Sequence, residues 1–335
     1  MRFGLALPHY DFSLPGGGRV SFARVAEFAR MAERLGFDSV WMSDHFFLSL
    51  ARYGGPPGVQ GSLEPMTTLA GLAAITERAR LGTLVLCAPF RHPAIVAKAA
   101  TAIDLVSGGR FELGIGAGWF QEEFRAFGYG FGTVGERFAL LEETLEVLGL
   151  LLPGGPATFR GEHFRLDDAY NRPRPVKQPR PPIWLGSKGG DRSLRLAARH
   201  ADGWNTVWRW TPRGYAERVK RVREICEEER RDPATLRLSV GLYTLVGENP
   251  RDFAARFRVM QGWMPGHALD GEPLDAFMAD TLSGTPEQVL DRLASFSGLG
   301  VEEVIVAPAA LPFAIPDPTV LELFAAAVMP KAREL

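Results

Sequence analysis

Three places in the chain set chemically capable side chains, or bare backbone, next to one another. Ser43-Asp44-His45-Phe46 follows a short apolar run, Ser39 to Met42, and so stands at the end of a strand. Histidine suits proton transfer because its unperturbed pKa lies near neutrality. The plainer reading of His45 is a structural histidine hydrogen-bonded under the loop that follows it. Gly114-x-Gly116-x-Gly118-Trp119 closes a second run, Phe111 to Ile115, and three positions without a Cβ let the backbone approach a ligand closely. The third place, Gly186-Ser187-Lys188-Gly189-Gly190-Asp191, links the run Ile183 to Leu185 to a helical pattern on Leu194, Ala197 and Ala201. Free N–H groups and a helix dipole there favour an anion such as a phosphate, although such a turn in isolation is more often a plain strand-to-helix connection.

Other candidates rank below these. His9 ends the strand-like Phe3 to Leu7, but a histidine after proline is commonly a turn residue. Glu64, before Pro65, reaches the same rim or serves as the N-terminal carboxylate of a helix. Arg91 and Arg110 read as solvated or salt-bridged rather than catalytic. Trp208, Trp210, Trp263 and Met264 could line an apolar substrate pocket or pack an insertion against the body of the protein. No group of His and Cys has metal-ligand spacing, and no Gly-x-Ser-x-Gly elbow occurs.

These residues need a scaffold that brings strand ends together. Arg80 to Trp119 supplies one unit of it: an apolar run (Leu81 to Ala88), a Phe90-Arg91-His92-Pro93 corner, a helix on Ile95, Ala99, Ile103 and Val106, a Ser107-Gly108-Gly109 stop and a second run. Strand, helix, strand in this order implies parallel pairing with a right-handed crossover. The pattern recurs along the chain, giving about eight strands that alternate with helices, in a length typical of a single (β/α)8 TIM barrel. The whole chain, 1–335, reads as one such domain. A hairpin insertion is expected at 153–182 and an irregular insertion at about 250–280, and Phe47 to Leu63 reads as a loop over the strand ends. A doubly wound dinucleotide-binding sheet is disfavoured, because its fingerprint needs a third glycine where this chain has Trp119.

Composition narrows the partners. The 335 residues are 46% hydrophobic and 23% charged, with a formal net charge of -1, so nothing points to nucleic acid or an acidic membrane surface. Two cysteines, Cys87 and Cys226, are too few for a disulfide framework. With no leader-like start and no apolar run long enough to span a bilayer, a cytoplasmic protein is expected.

Taken together, Ser43-Asp44-His45-Phe46, Arg91-His92-Pro93-Ala94, Ser107-Gly108-Gly109-Arg110, Leu113 to Trp119, Glu136-Arg137-Phe138, Pro182 to Gly186 and Ala201 to Asn205 resemble the bacterial-luciferase-like family of flavin-type oxidoreductases. The resemblance runs collinearly from Arg2 to about Pro308 and is greatest to the branch that uses the deazaflavin coenzyme F420. It implies a non-proline cis peptide at Leu84-Val85 supporting the cofactor ring, a ring-contacting Asp44 and an acid/base His45. It also implies that Trp119 and Glu122 flank the cofactor side chain, and that Ser187, Lys188, Gly189 and Gly190 hold its phosphate. Many relatives carry glycine where this chain has Lys188. The implied activity is hydride transfer between F420 and a small organic substrate, without metal. The alternatives are an FMN-dependent, oxygen-using monooxygenase of the same fold and a barrel that binds a cofactor without catalysis. Relatives commonly form homodimers through barrel helices.

Overall fold

Short apolar runs, each followed by a helix, fold here into a closed parallel barrel. The computed structural model describes all 335 residues, Met1–Leu335. The barrel strands are β1 (Arg2–Ala6), β2 (Ser39–Met42), β3 (Arg80–Thr83), β4 (Phe111–Gly116), β5 (Ile183–Gly186), β6 (Gly203–Trp208), β7 (Arg237–Val246) and β8 (Val301–Ala307). Each pairs in parallel with the next, and β8 returns to β1 from Arg2↔Glu303 to Leu5↔Val306, so the sheet has no open edge. The expected (β/α)8 TIM barrel is therefore the observed fold.

One helix follows each strand: α1 (Phe22–Leu35), α2 (Pro65–Ala73), α3 (Pro93–Ser107), α4 (Val134–Leu151), α5 (Asp191–His200), α6 (Pro212–Glu228), α7 (Pro286–Ser297) and α8 (Thr319–Ala327). Their ends carry the expected stops. Gly36 and Gly108 close α1 and α3 in the left-handed region, and Gln288 of the α7 capping box accepts from the Thr285 N–H at 2.9 Å. The main core, 65 buried apolar residues, lies between sheet and helices. α3 departs from its expected single apolar face: Ile103 is in the core, but Ile95, Leu105 and Val106 are 62%, 40% and 53% exposed.

The barrel's N-terminal end is plugged. Trp41 and Trp184 meet edge to face at 6.4 Å inside it, and Gly82 and Gly203 are small because a Cβ would fall 2.2 and 2.3 Å from those rings. Beside them Arg80 pairs with Glu112 and with the fully buried Glu303. With that end filled, only the C-terminal ends of the strands remain free for a ligand.

Three segments differ from the sequence expectation. The Leu81 to Ala88 run is interrupted: β3 stops at Thr83, and Leu86–Cys87 resumes pairing with β4 only after a bulge. The 153–182 insertion does hold a hairpin, Pro156–Arg160 against Arg165–Tyr170. The 250–280 insertion is not irregular; it contains helices Pro250–Trp263 and Leu274–Asp280, whose Phe253, Phe257, Met260 and Phe277 form a second apolar cluster.

Candidate active site

The bulge in β3 shapes the floor of a cavity of about 590 Å³ at the carboxyl ends of the strands. The Leu84–Val85 peptide is cis, at the position where the resemblance puts one. Val85 projects toward Gly116 and Gly186, where a Cβ would lie 3.0 and 2.6 Å from it, whereas at Gly114 a Cβ would fall 2.0 Å from the Thr83 carbonyl oxygen. Gly116 and Gly186 line the cavity, as expected of bare backbone beside a ligand, and they also make room for Val85. Gly118, at φ +76, does the same for Cys87 and Phe124. A second non-proline cis bond, Val207–Trp208, ends β6 on the same cavity and was not anticipated.

β2 delivers Ser43, Asp44 and His45 to this floor, and each has a definite partner. Nδ1 of His45 donates to Oε1 of Glu123, whose Oε2 accepts the Phe46 N–H at 2.7 Å. A carboxylate can only accept, so Nδ1 carries a proton, and in the neutral ring Nε2 presents its lone pair. Nε2 has no protein partner, and His45 lines the cavity. Asp44 is held differently. Arg91 grips it bidentately at 2.6 and 2.9 Å, the Cys87 N–H donates to it at 2.9 Å, and the same Arg91 reaches Glu64 at 2.7 Å. Asp44 is thus a fixed, charge-balanced acceptor, and His45 is the group free to take a proton. Glu64 also caps α2 through the Thr67 N–H. Arg110 lies elsewhere, donating to the carbonyls of Ala73, Thr76 and Ala79.

Glu122 does not reach the cavity. The short helix Gln121–Ala126 turns it to solvent and buries its neighbour Glu123. A helical reading of Phe120, Glu123, Phe124 and Phe127 at spacings of three and four could have found Glu123, because it falls on the aromatic face.

His9 is fully buried behind Ser43 rather than on the rim. Its Nδ1 donates to the Leu7 carbonyl at 2.8 Å, and burial lowers its pKa to about 4, so the ring is neutral. Nε2 therefore accepts the Ser43 hydroxyl at 3.0 Å, and Tyr10 in turn donates to Ser43 Oγ. The chain of donors runs one way, from the cavity wall inward.

On the opposite strands, Ser187 and Lys188 line the cavity, whereas Gly189 and Gly190 form the turn behind them. Gly189 has φ +80 and its N–H is spent on Ser187 Oγ at 3.2 Å; Gly190 caps α5 with no side chain over the helix end. The Lys188 ammonium donates to the Val207 carbonyl, and burial lowers its pKa. Thr206 borders the cavity, but its hydroxyl is buried and has no hydrogen-bond partner. Ser187 and Lys188, beside an uncapped helix end, fit a phosphate, and the bulged floor fits a planar ring.

The roof comes from two loops far apart in sequence. Phe47–Ser49 pairs with Val59–Gly61, and the turn between them meets the 250–280 insertion at a contact only glycine allows: a Cβ on Gly266 would sit 1.5 Å from the Gly54 carbonyl oxygen. Trp208 lines the cavity, stacked on Tyr243 at 5.4 Å, and Trp119 stands at its edge, 43% exposed. Trp210 packs on Tyr215, while Trp263 and Met264 join the insertion's own apolar cluster; these three are outside the cavity because their loops fold away from it.

Comparison with known proteins agrees with this architecture. The family described as luciferase-like monooxygenase matches residues 1–303. An F420-dependent glucose-6-phosphate dehydrogenase of Kineococcus radiotolerans is 38% identical over 185 residues, a match spanning 54% of this chain and 51% of that relative. An FMNH(2)-dependent dimethylsulfone monooxygenase of Pseudomonas putida is 26% identical over 307 residues, covering 83% of this chain and 80% of the relative. Among solved structures, the coenzyme F420 dependent tetrahydromethanopterin reductase of Methanopyrus kandleri superimposes with a TM-score of 0.76 at 21% identity, covering 98% of this chain and 99% of that one. From its barrel and its match over residues 1–303, the chain belongs to the luciferase-like monooxygenase family.

Proposed function

We propose that this protein is an F420-dependent oxidoreductase that moves a hydride between the deazaflavin and a small organic substrate. The observation that carries the reading is His45, held by Glu123 as the Nδ1–H tautomer with Nε2 free at the cavity. When bound, the deazaflavin supplies a two-electron hydride acceptor or donor. The protein's part is to hold the ring on Leu84 and Val85, to anchor the phosphate through Ser187 and Lys188, with the turn Gly189-Gly190 shaping the helix end behind them, and to set Asp44 and Trp119 at the ring's edges. His45 Nε2 takes the hydroxyl proton as hydride leaves the adjacent carbon, or returns it in the reverse direction. The glucose-6-phosphate dehydrogenase relative named F420-dependent supports this cofactor at the higher identity, 38% against 26% for the FMNH(2)-dependent one.

The second reading, an FMN-dependent monooxygenase, draws on the Pseudomonas relative, whose match extends over more of the chain. A fluorescence-quench titration of the protein with F420 and, separately, with FMN discriminates them. Tight F420 and weak FMN binding is the expected result; the reverse moves the assignment to oxygen chemistry, and binding of neither abandons both.

A homodimer belongs to the same proposal. α3 is apolar on its outward side as well as its inward one, and a helix that is apolar all round is normally covered. A second copy, apposing α3 to α3, is the occupant proposed. No helix of the structure is long and apolar enough to cross a membrane.

A further inference from the structure

Arg52 lies in the turn Leu50–Tyr53 of the roof. Its guanidinium carbon is 4.3 Å from the centre of the Trp119 ring, and that ring meets His45 edge to face at 5.3 Å. All three side chains line the cavity. The other charges there are committed: Asp44 to Arg91, Glu123 to His45, and Lys188 to the Val207 carbonyl. Arg52 alone forms no ion pair and donates no hydrogen bond. Stacking holds its planar fork in place, and five N–H donors remain unspent at the mouth of the site.

We propose that Arg52 selects an anionic substrate, pairing with its carboxylate or phosphate while the carbon that exchanges hydride lies at His45. This rests on the hydride-transfer reading and adds a substrate class to it. The anion site and the proton acceptor are separated by one indole ring, which suits a small hydroxy or oxo acid, or a compact phosphate ester, over a neutral alcohol. A guanidinium fork matches either anion bidentately. The cofactor also carries anionic groups, so the test must tell the two sources apart.

The experiment is a tryptophan-fluorescence titration with succinate and with inorganic phosphate, on the cofactor-free and the F420-loaded protein, in wild type, R52Q, R52K and W119F. Both anions should alter the emission with and without F420, and 1,4-butanediol should not. W119F should remove the signal, R52Q should weaken apparent affinity at least about tenfold, and R52K should fall between. With the loaded enzyme, 3-hydroxybutyrate should be used in preference to 2-butanol, and R52Q should erase the preference by raising KM more than it lowers kcat. An R52Q response equal to wild type overturns the proposal. So does loss of the anion response on F420 loading together with weaker F420 binding by R52Q, which gives Arg52 to the cofactor. If F420 fails to bind while the anion response persists, the hydride-transfer reading falls and the anion site stands.

Discussion

Replacing Glu123 by Gln should disable His45 without touching it. Glu123 is 1% exposed and accepts from two donors, Nδ1–H of His45 and the Phe46 N–H at 2.7 Å. Glutamine has the same shape but only one accepting group. If its oxygen stays on His45, its NH₂ opposes the Phe46 N–H, and a buried unpaired donor costs about 1–3 kcal/mol. If its oxygen stays on Phe46, its NH₂ faces Nδ1, and the imidazole relieves the conflict by carrying its proton on Nε2 instead. A neutral imidazole changes tautomer at smaller cost than that, so the second arrangement wins. Nε2 then points an N–H, not a lone pair, into the cavity, and general-base assistance worth roughly 10²–10⁴-fold is lost. Two measurements check this. The ¹⁵N shifts of the His45 ring should report the change from Nδ1–H to Nε2–H, and single-turnover reduction of bound F420 should slow by about that factor while F420 affinity holds. An E123Q protein that keeps its rate within about threefold, or retains the Nδ1–H tautomer, would refute the reasoning.

Other perturbations have equally definite outcomes. His9 has its pKa lowered by burial, so its contribution to stability is complete above the unfolded value near 6.5 and is lost as pH falls toward about 4. The loss should approach roughly 3 kcal/mol by urea unfolding, and H9Q should flatten that part of the pH profile. Arg91→Ala strands the buried Asp44 carboxylate and should lower stability by about 3–5 kcal/mol in the same assay, with Arg91→Lys milder. Gly186→Ala puts a methyl 2.6 Å from Val85 and should cost about 1–3 kcal/mol while weakening F420 binding, readable by quench titration. A Leu105→Glu, Val106→Glu double variant should elute as a monomer in size-exclusion chromatography with light scattering if α3 faces a second copy; a wild type that is itself monomeric would dismiss that arrangement.

The barrel was legible in the sequence because each unit repeats one local pattern, an apolar run and then a helix with capping residues, and parallel pairing follows from the connections alone. Ser43 to His45 was found for the same reason: a strand end is a place the pattern predicts. What stayed hidden depends on contacts between units. Glu123, the partner of His45, goes unnoticed because its burial turns on the phase of a six-residue helix. Gly116 and Gly186 do line the cavity, but that they also accommodate Val85 is hidden, because Val85 comes from another strand. Arg91 could be expected to be paired, but its partner Asp44 only appears once β2 and β3 are adjacent. The 250–280 helices were obscured by the Gly and Pro residues between them, and of the two roles open to Trp263 and Met264 the packing one holds.

The glycine-to-glycine seam in the roof has a consequence for how such enzymes diversify. Gly54 and Gly266 touch with no side chain between them, so the two loops form one joint although they are distant in the chain. A length change in either loop opens the joint unless the other changes too. New substrate ranges should therefore be inherited as matched loop pairs. Grafting the 47–61 hairpin of another barrel onto this one should give an open, leaky site, whereas moving it together with its own counterpart of 250–280 should carry the donor's selectivity across intact.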